Sequence, residues 1–111
     1  IAGSRLLIGA SVHSLEEARA AQLEGADFLL FGPVYDTPSK RAYGAAQGVE
    51  SLRRVVEAVS IPVFAIGGIT PERVHEVRKS GAHGVAVISA ILAAERPAEA
   101  TKAFLEALGS A

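Results

Sequence analysis

Val63-Phe64-Ala65-Ile66-Gly67-Gly68-Ile69-Thr70-Pro71-Glu72 runs from an apolar stretch into two glycines, a hydroxyl residue and a proline. Val63–Ile66 suits a buried strand. Thr70 is a good N-cap, and Pro71 fits the first helical position, where a missing N–H costs nothing. The stretch therefore reads as a strand feeding a helix through a glycine turn. Glycine permits positive φ or a close approach of backbone. A turn with bare N–H groups beside a helix start favours an anion, often a phosphate. A tight turn with no ligand would carry the same residues.

The same pattern recurs on both sides of this stretch. Leu6–Ala10 reads as a strand. Ser14-Leu15-Glu16-Glu17 is a capping box that opens a helix to about Glu24, and Gly25 closes it. Phe28–Phe31 is a continuous apolar run, hence a buried strand. A polar loop runs from Gly32 to about Gln47. Leu52, Val55, Val56 and Val59 then share one helix face, with Glu50, Arg53, Arg54 and Glu57 opposite. Pro62–Ile66 is the third strand and Pro71–Ser80 the third helix, closed by Gly81. Gly84–Ile88 is the fourth strand. A short helical piece at Ala90–Glu95 precedes Pro97, which starts a last helix with Phe104, Leu105 and Leu108 on one side.

Strands alternating with helices imply an α/β fold with a parallel sheet and right-handed crossovers. A weak internal repeat supports duplicated βα units: Ser14-Leu15-Glu16 aligns with Thr70-Pro71-Glu72, and Gly25-Ala26 with Gly81-Ala82 at the same offset. The expectation is a (β/α)4 half of a TIM (β/α)8 barrel, which as a whole takes roughly 250 residues. The alternative is an open, doubly wound four-stranded sheet. Short, similar strands and polar residues gathered after strand ends favour the barrel. Residues 1–111 then form a single half-barrel unit with two open strand edges and an uncovered apolar inner face. Such a unit needs another half, needs a second copy of itself, or is a piece of a longer chain. An opening on Ile1 rather than methionine suggests the last.

Composition limits the function classes. The chain has 111 residues, half of them apolar, and a net charge of −1, so it lacks the electrostatic footprint of a nucleic-acid binder. No apolar run is long enough to span a membrane, and no signal peptide is visible. The absence of cysteine excludes disulfides and thiolate metal sites and fits a cytoplasmic protein.

In barrel units, function collects in the loops after the strands. The first such loop is Ser11-Val12-His13-Ser14, where His13 is a candidate acid/base. The second holds Thr37, Ser39 and Lys40. Two hydroxyls and an ammonium together suit a phosphate or pyrophosphate. The third is Gly67-Gly68, and the fourth is Ile88-Ser89 at the start of a short helix. The last two loops plus a short extra helix form a recurring phosphate cup in barrels. Each loop also has a bland reading, as an ordinary turn or a histidine bonded to backbone. His75 and His83 read as structural. No acidic pair looks built to hold Mg²⁺.

Four segments carry a family resemblance: Ile8-Gly9-Ala10-Ser11-Val12-His13-Ser14-Leu15-Glu16-Glu17-Ala18, Phe31-Gly32-Pro33-Val34-Tyr35-Asp36-Thr37-Pro38-Ser39-Lys40, Ala65-Ile66-Gly67-Gly68-Ile69-Thr70-Pro71 and Gly84-Val85-Ala86-Val87-Ile88-Ser89-Ala90-Ile91. In this order and spacing they resemble the thiamine phosphate synthase/TenI family, specifically its C-terminal half, strands five to eight. The resemblance implies a synthase, with Mg²⁺, that joins hydroxymethylpyrimidine diphosphate to thiazole phosphate and releases pyrophosphate. It implies that Ser11 touches the pyrimidine, that Thr37, Ser39 and Lys40 hold the pyrophosphate, and that Gly68, Ile88 and Ser89 cradle the thiazole phosphate, a set that adjoins Gly67 of the glycine turn. Lys40 and His13 are the candidate catalytic groups. Ser39 stands where the family often has threonine, which keeps the hydroxyl. The Mg²⁺-binding acids are expected in an N-terminal half, so this chain alone is expected to catalyse little. Two alternatives stand beside the synthase. One is a TenI-like thiazole tautomerase using His13 as acid/base. The other is a non-catalytic half-barrel module.

Overall fold

A computed structural model describes residues 6–36, 45–87 and 96–110. The elements run β1 (Gly9–Val12), α1 (Leu15–Leu23), β2 (Phe28–Phe31), α2 (Gly48–Ala58), β3 (Val63–Ile66), α3 (Pro71–Lys79), β4 (Gly84–Ala86) and α4 (Pro97–Ser110). Among the described residues the strands form one parallel sheet in the order β1-β2-β3-β4. Strands added one after another with right-handed crossovers place successive helices on the same face. A doubly wound sheet would instead reverse its strand order part-way and cover both faces. The unbroken order therefore selects the barrel type of α/β unit over the open alternative.

The register sorts side chains onto two unlike faces. Leu29 pairs with Val63, and Phe31 with Ala65. These four are buried in one cluster with Ala18 of α1, Leu52 and Val55 of α2, Val74 and Val77 of α3 and Phe104 of α4. The opposite face carries Gly9, Phe28, Leu30, Phe64, Gly84 and Ala86 at alternate positions. On this face the outer strands β1 and β4 carry small residues and the central strands β2 and β3 carry large ones. The Phe28 ring occupies the space a Cβ on Gly9 would need, and at Gly84 a Cβ would meet the Phe64 ring in a tight contact of 3.3 Å. The two rings meet edge to face at 5.9 Å. This face borders an apolar hollow of about 590 Å³ lined by Leu7, Phe28, Leu30, Phe64 and Ala86. No described element covers it.

Local signals explain the helix ends. Ser14 Oγ accepts from Glu17 N at 3.1 Å, which caps α1. The Glu17 carboxylate reaches back one residue further than in the expected box, to His13 N at 2.9 Å. Gly25 and Gly81 follow α1 and α3 with φ of 101° and 99°, the left-handed exit expected of glycine there. The repeat extends past these glycines: Asp27 N donates to Ile8 O at 2.7 Å, and the equivalent His83 N donates to Val63 O at 2.8 Å.

Several sequence expectations are corrected. The first strand is Gly9–Val12, not Leu6–Ala10. Pairing with Phe28–Phe31 decides this, and Leu6, Leu7 and Ile8 stand 83, 69 and 61% exposed before the ladder begins. Ser11 thus belongs to a strand, not a loop. Strand β4 ends at Ala86, with Val87 outside it. Thr70 takes the N-cap position with an extended backbone, but its side chain makes no capping bond. Leu105 is exposed, while Phe104 is buried and Leu108 half-buried. The helical piece expected at Ala90–Glu95 lies outside the described residues.

Candidate functional site

The C-terminal ends of β1, β2 and β3 meet around a cavity of about 200 Å³. Ser11 and His13 line it from the end of β1, Leu30, Gly32 and Pro33 from β2 and its exit, and Ile66 and Gly67 from β3. The structure thus brings three sequence candidates together: Ser11, His13 and Gly67. Gly68 stands next in the chain but is not part of the lining. Thr37, Ser39, Lys40, Ile88 and Ser89 lie outside the described residues.

Packing explains one of the two glycines. The chain leaves β2 through a cis Gly32–Pro33 peptide and runs along the end of β3. Val34 N donates to Ile66 O at 2.9 Å, and Tyr35 N donates to Gly67 O at 3.1 Å. A Cβ on Gly67 would lie 2.6 Å from Pro33 Cα, and its φ is +100°. Only glycine fits both demands. Gly68 also has positive φ, at 67°. Among the described residues, the Gly68 and Ile69 amides donate to no backbone carbonyl. The turn therefore presents amides beside the start of α3, a geometry suited to an anion.

His13 is half-exposed at the cavity mouth. Its Nδ1 lies 3.2 Å from Glu17 Oε1. The hydrogen bond from His13 N, followed by the contact with the His13 ring, holds the Glu17 carboxyl below the usual carboxylate range. An ionised carboxylate on Nδ1 favours the tautomer with the proton there, leaving Nε2 as the acceptor. That arrangement suits a group that takes and returns a proton. His75 is exposed on α3, and His83 packs its ring against Phe64 at 6.2 Å, away from this rim.

A second cluster was not legible in the sequence. The Arg73 guanidinium sits 4.3 Å above the centroid of the Tyr35 ring. Arg73 Nη1 also donates to Gly68 O at 2.6 Å. The Tyr35 hydroxyl donates to the Glu76 carboxylate. Burial, then the Glu76 bond, pushes the Tyr35 phenol up to about 12. Tyr35 and Glu76 are 41 positions apart, so no local signal joined them.

The profile of the family described as thiamine monophosphate synthase matches residues 1–91. The chain belongs to that family. It is 47% identical over 104 residues to a thiamine-phosphate synthase of Caldivirga maquilingensis, covering 94% of this chain and 50% of the relative. It is 45% identical over 108 residues to a thiamine-phosphate synthase of Salinibacter ruber, covering 97% of this chain and 48% of the relative. Among solved structures, the thiamine phosphate pyrophosphorylase from Pyrococcus furiosus superposes with a TM-score of 0.86 at 46% identity, over 95% of this chain and 50% of that one. The chain thus spans about half the length of the curated relatives it matches.

Among the described residues no group of three or more His, Asp or Glu side chains could hold a metal ion. No described helix is long and apolar enough to cross a membrane.

Proposed function

We propose that the chain supplies the phosphate-binding half of a thiamine phosphate synthase, resembling strands five to eight of the barrel. In this reading the coupling of hydroxymethylpyrimidine diphosphate to thiazole phosphate requires a complementary (β/α)4 half. The observation that carries it is the rim itself: Ser11, His13 and Gly67 converge on one cavity beside a glycine turn whose Gly68 and Ile69 amides donate to no backbone carbonyl among the described residues. Membership of the synthase family supports the substrate class.

The family resemblance implies the roles. Gly67 and Gly68 would seat the thiazole phosphate with backbone amides, joined by Ile88 and Ser89. Thr37, Ser39 and Lys40 would hold the diphosphate, hydroxyls donating and the ammonium balancing charge as the leaving group departs. Ser11 would touch the pyrimidine. The bond from the pyrimidine methylene carbon to the diphosphate oxygen breaks, and the thiazole nitrogen bonds to that carbon. No acidic cluster among the described residues fits Mg²⁺, and its acids would come from the complementary half. The apolar hollow on the inner face is where that half would pack, whether on the same polypeptide or another. The cytoplasm is the compartment that fits a phosphorylated-substrate enzyme without cysteine.

A second reading has its own observation. His13 at the cavity mouth, held by Glu17, is arranged for proton transfer, as a TenI-like thiazole tautomerase needs. Substitution separates the two. In the chain co-expressed with the first half of the Caldivirga maquilingensis synthase, His13→Ala would leave coupling largely intact and abolish any tautomerisation. Thiamine phosphate should form only when both halves are present. Coupling by the chain alone would refute the need for a second half, and no coupling by the pair would refute the synthase reading.

A further inference from the structure

The Gly67–Gly68 turn is held by contacts from two other segments. Gly67 O accepts from Tyr35 N at 3.1 Å, and Gly68 O accepts from Arg73 Nη1 at 2.6 Å. In a trans peptide the C=O and the next residue's N–H point in opposite directions. Anchoring the Gly67 carbonyl therefore aims the Gly68 amide, and anchoring the Gly68 carbonyl aims the Ile69 amide. The Gly68 amide thus points away from Tyr35 N, and the Ile69 amide away from Arg73 Nη1.

Arg73 is in an odd place for a cation. It occupies the third position of α3, after Pro71 and Glu72, in the first turn where the helix dipole disfavours positive charge. Compensation comes from the Gly68 carbonyl and from the Tyr35 ring beneath the guanidinium. Tyr35 is fixed in turn by its hydroxyl, which donates to Glu76 one turn along the same helix. The result is a closed circuit: turn carbonyl, Arg73, Tyr35 ring, Glu76, helix α3. A planar guanidinium serves both contacts at once, whereas an ammonium could not stack.

We propose that Arg73, stacked on Tyr35, is a positioning residue that orients the Gly67–Gly68 peptides so that their following amides face a bound phosphoryl group. This rests on the phosphate reading of the rim given above. It assigns to α3 and the segment after β2 a task that neither was expected to have. The shared circuit also means that the loop after β2 and the glycine turn are set by one another, since Tyr35 belongs to the first and holds the second.

The test titrates inorganic phosphate into the full chain and follows the Gly68 and Ile69 amides by ¹H–¹⁵N spectroscopy. Arg73→Met should weaken phosphate binding roughly tenfold, the worth of one lost hydrogen bond from a charged donor. Arg73→Lys should recover only part of that loss. Tyr35→Phe changes no charge, and it should weaken binding in the same direction. It should also speed hydrogen exchange at the residue-35 amide that bonds Gly67 O. Thermal melts separate these effects from unfolding, and if Arg73→Met does not fold, Tyr35→Phe decides. Wild-type binding matched by both Arg73→Met and Tyr35→Phe would overturn the positioning role alone. So would full recovery by Arg73→Lys, which would mark a role of charge only. Failure of the wild-type amides to respond to phosphate would overturn the seat, and the positioning role with it.

Discussion

Gly67→Ala separates the two reasons for a glycine at the end of β3. The φ of +100° costs an alanine about 1–2 kcal/mol in backbone strain. The added methyl would also lie 2.6 Å from Pro33 Cα, and backbone cannot swing aside as a side chain can. Overpacking of this kind costs about 1–3 kcal/mol more. Gly25 provides the control: its φ of +101° is nearly the same, and nothing lies within 4 Å of its Cβ position. Gly25→Ala should therefore show the strain cost alone. Urea unfolding followed by circular dichroism measures both. With a slope of about 1.5 kcal/mol per molar urea, the packing part should lower the Gly67→Ala midpoint by about 1 M beyond that of Gly25→Ala. Equal midpoints would refute the claim that Pro33 and Gly67 must approach this closely, and with it the shape of the rim.

Three further outcomes follow from the same geometry. Leu29→Ala should cost about 2–5 kcal/mol because Leu29 is fully buried beneath the helices, whereas Leu30→Ala on the open face should cost about 1 kcal/mol or less, both read by urea unfolding. Ser14→Ala should cost about 1 kcal/mol by losing its bond to Glu17 N, while Thr70→Ala, which removes no capping bond, should stay within about 0.5 kcal/mol in thermal melts. Tyr35 is held neutral in the folded chain, so its contribution to stability is complete below the ordinary phenol value near 10 and is lost as pH rises toward about 12. Alkaline titration at 295 nm, wild type minus Tyr35→Phe, should show ionisation near 12, and Glu76→Gln should bring it down.

The order of elements could be read from the chain because its signals are local. Ser14 with Glu17, Thr70 with Pro71, and Gly25 and Gly81 each mark a helix end within a few residues. The limits of β1 could not be read that way. Leu6, Leu7 and Ile8 are as apolar as any strand, but Gly9 faces Phe28, and that pairing across the sheet sets where the ladder begins. Leu105 failed similarly: α4 packs against α3 through Phe104, and one step of rotation leaves Leu105 in solvent. At the rim, the positions of His13 and Gly67 followed from their places after strands. The contacts that constrain them did not. Gly67 answers to Pro33, and Tyr35 to Glu76, across 34 and 41 positions of chain, and such pairs exist only once the sheet has formed.

The central claim is that the rim at the carboxyl ends of the strands seats a phosphoryl group on the amides of the glycine turn. Crystals of the chain soaked in inorganic phosphate or diphosphate test it most directly. Density within hydrogen-bonding distance of the Gly68 amide, beside Ser11 and His13, is the expected result. Density confined to another surface, or none at saturating concentration, would contradict it.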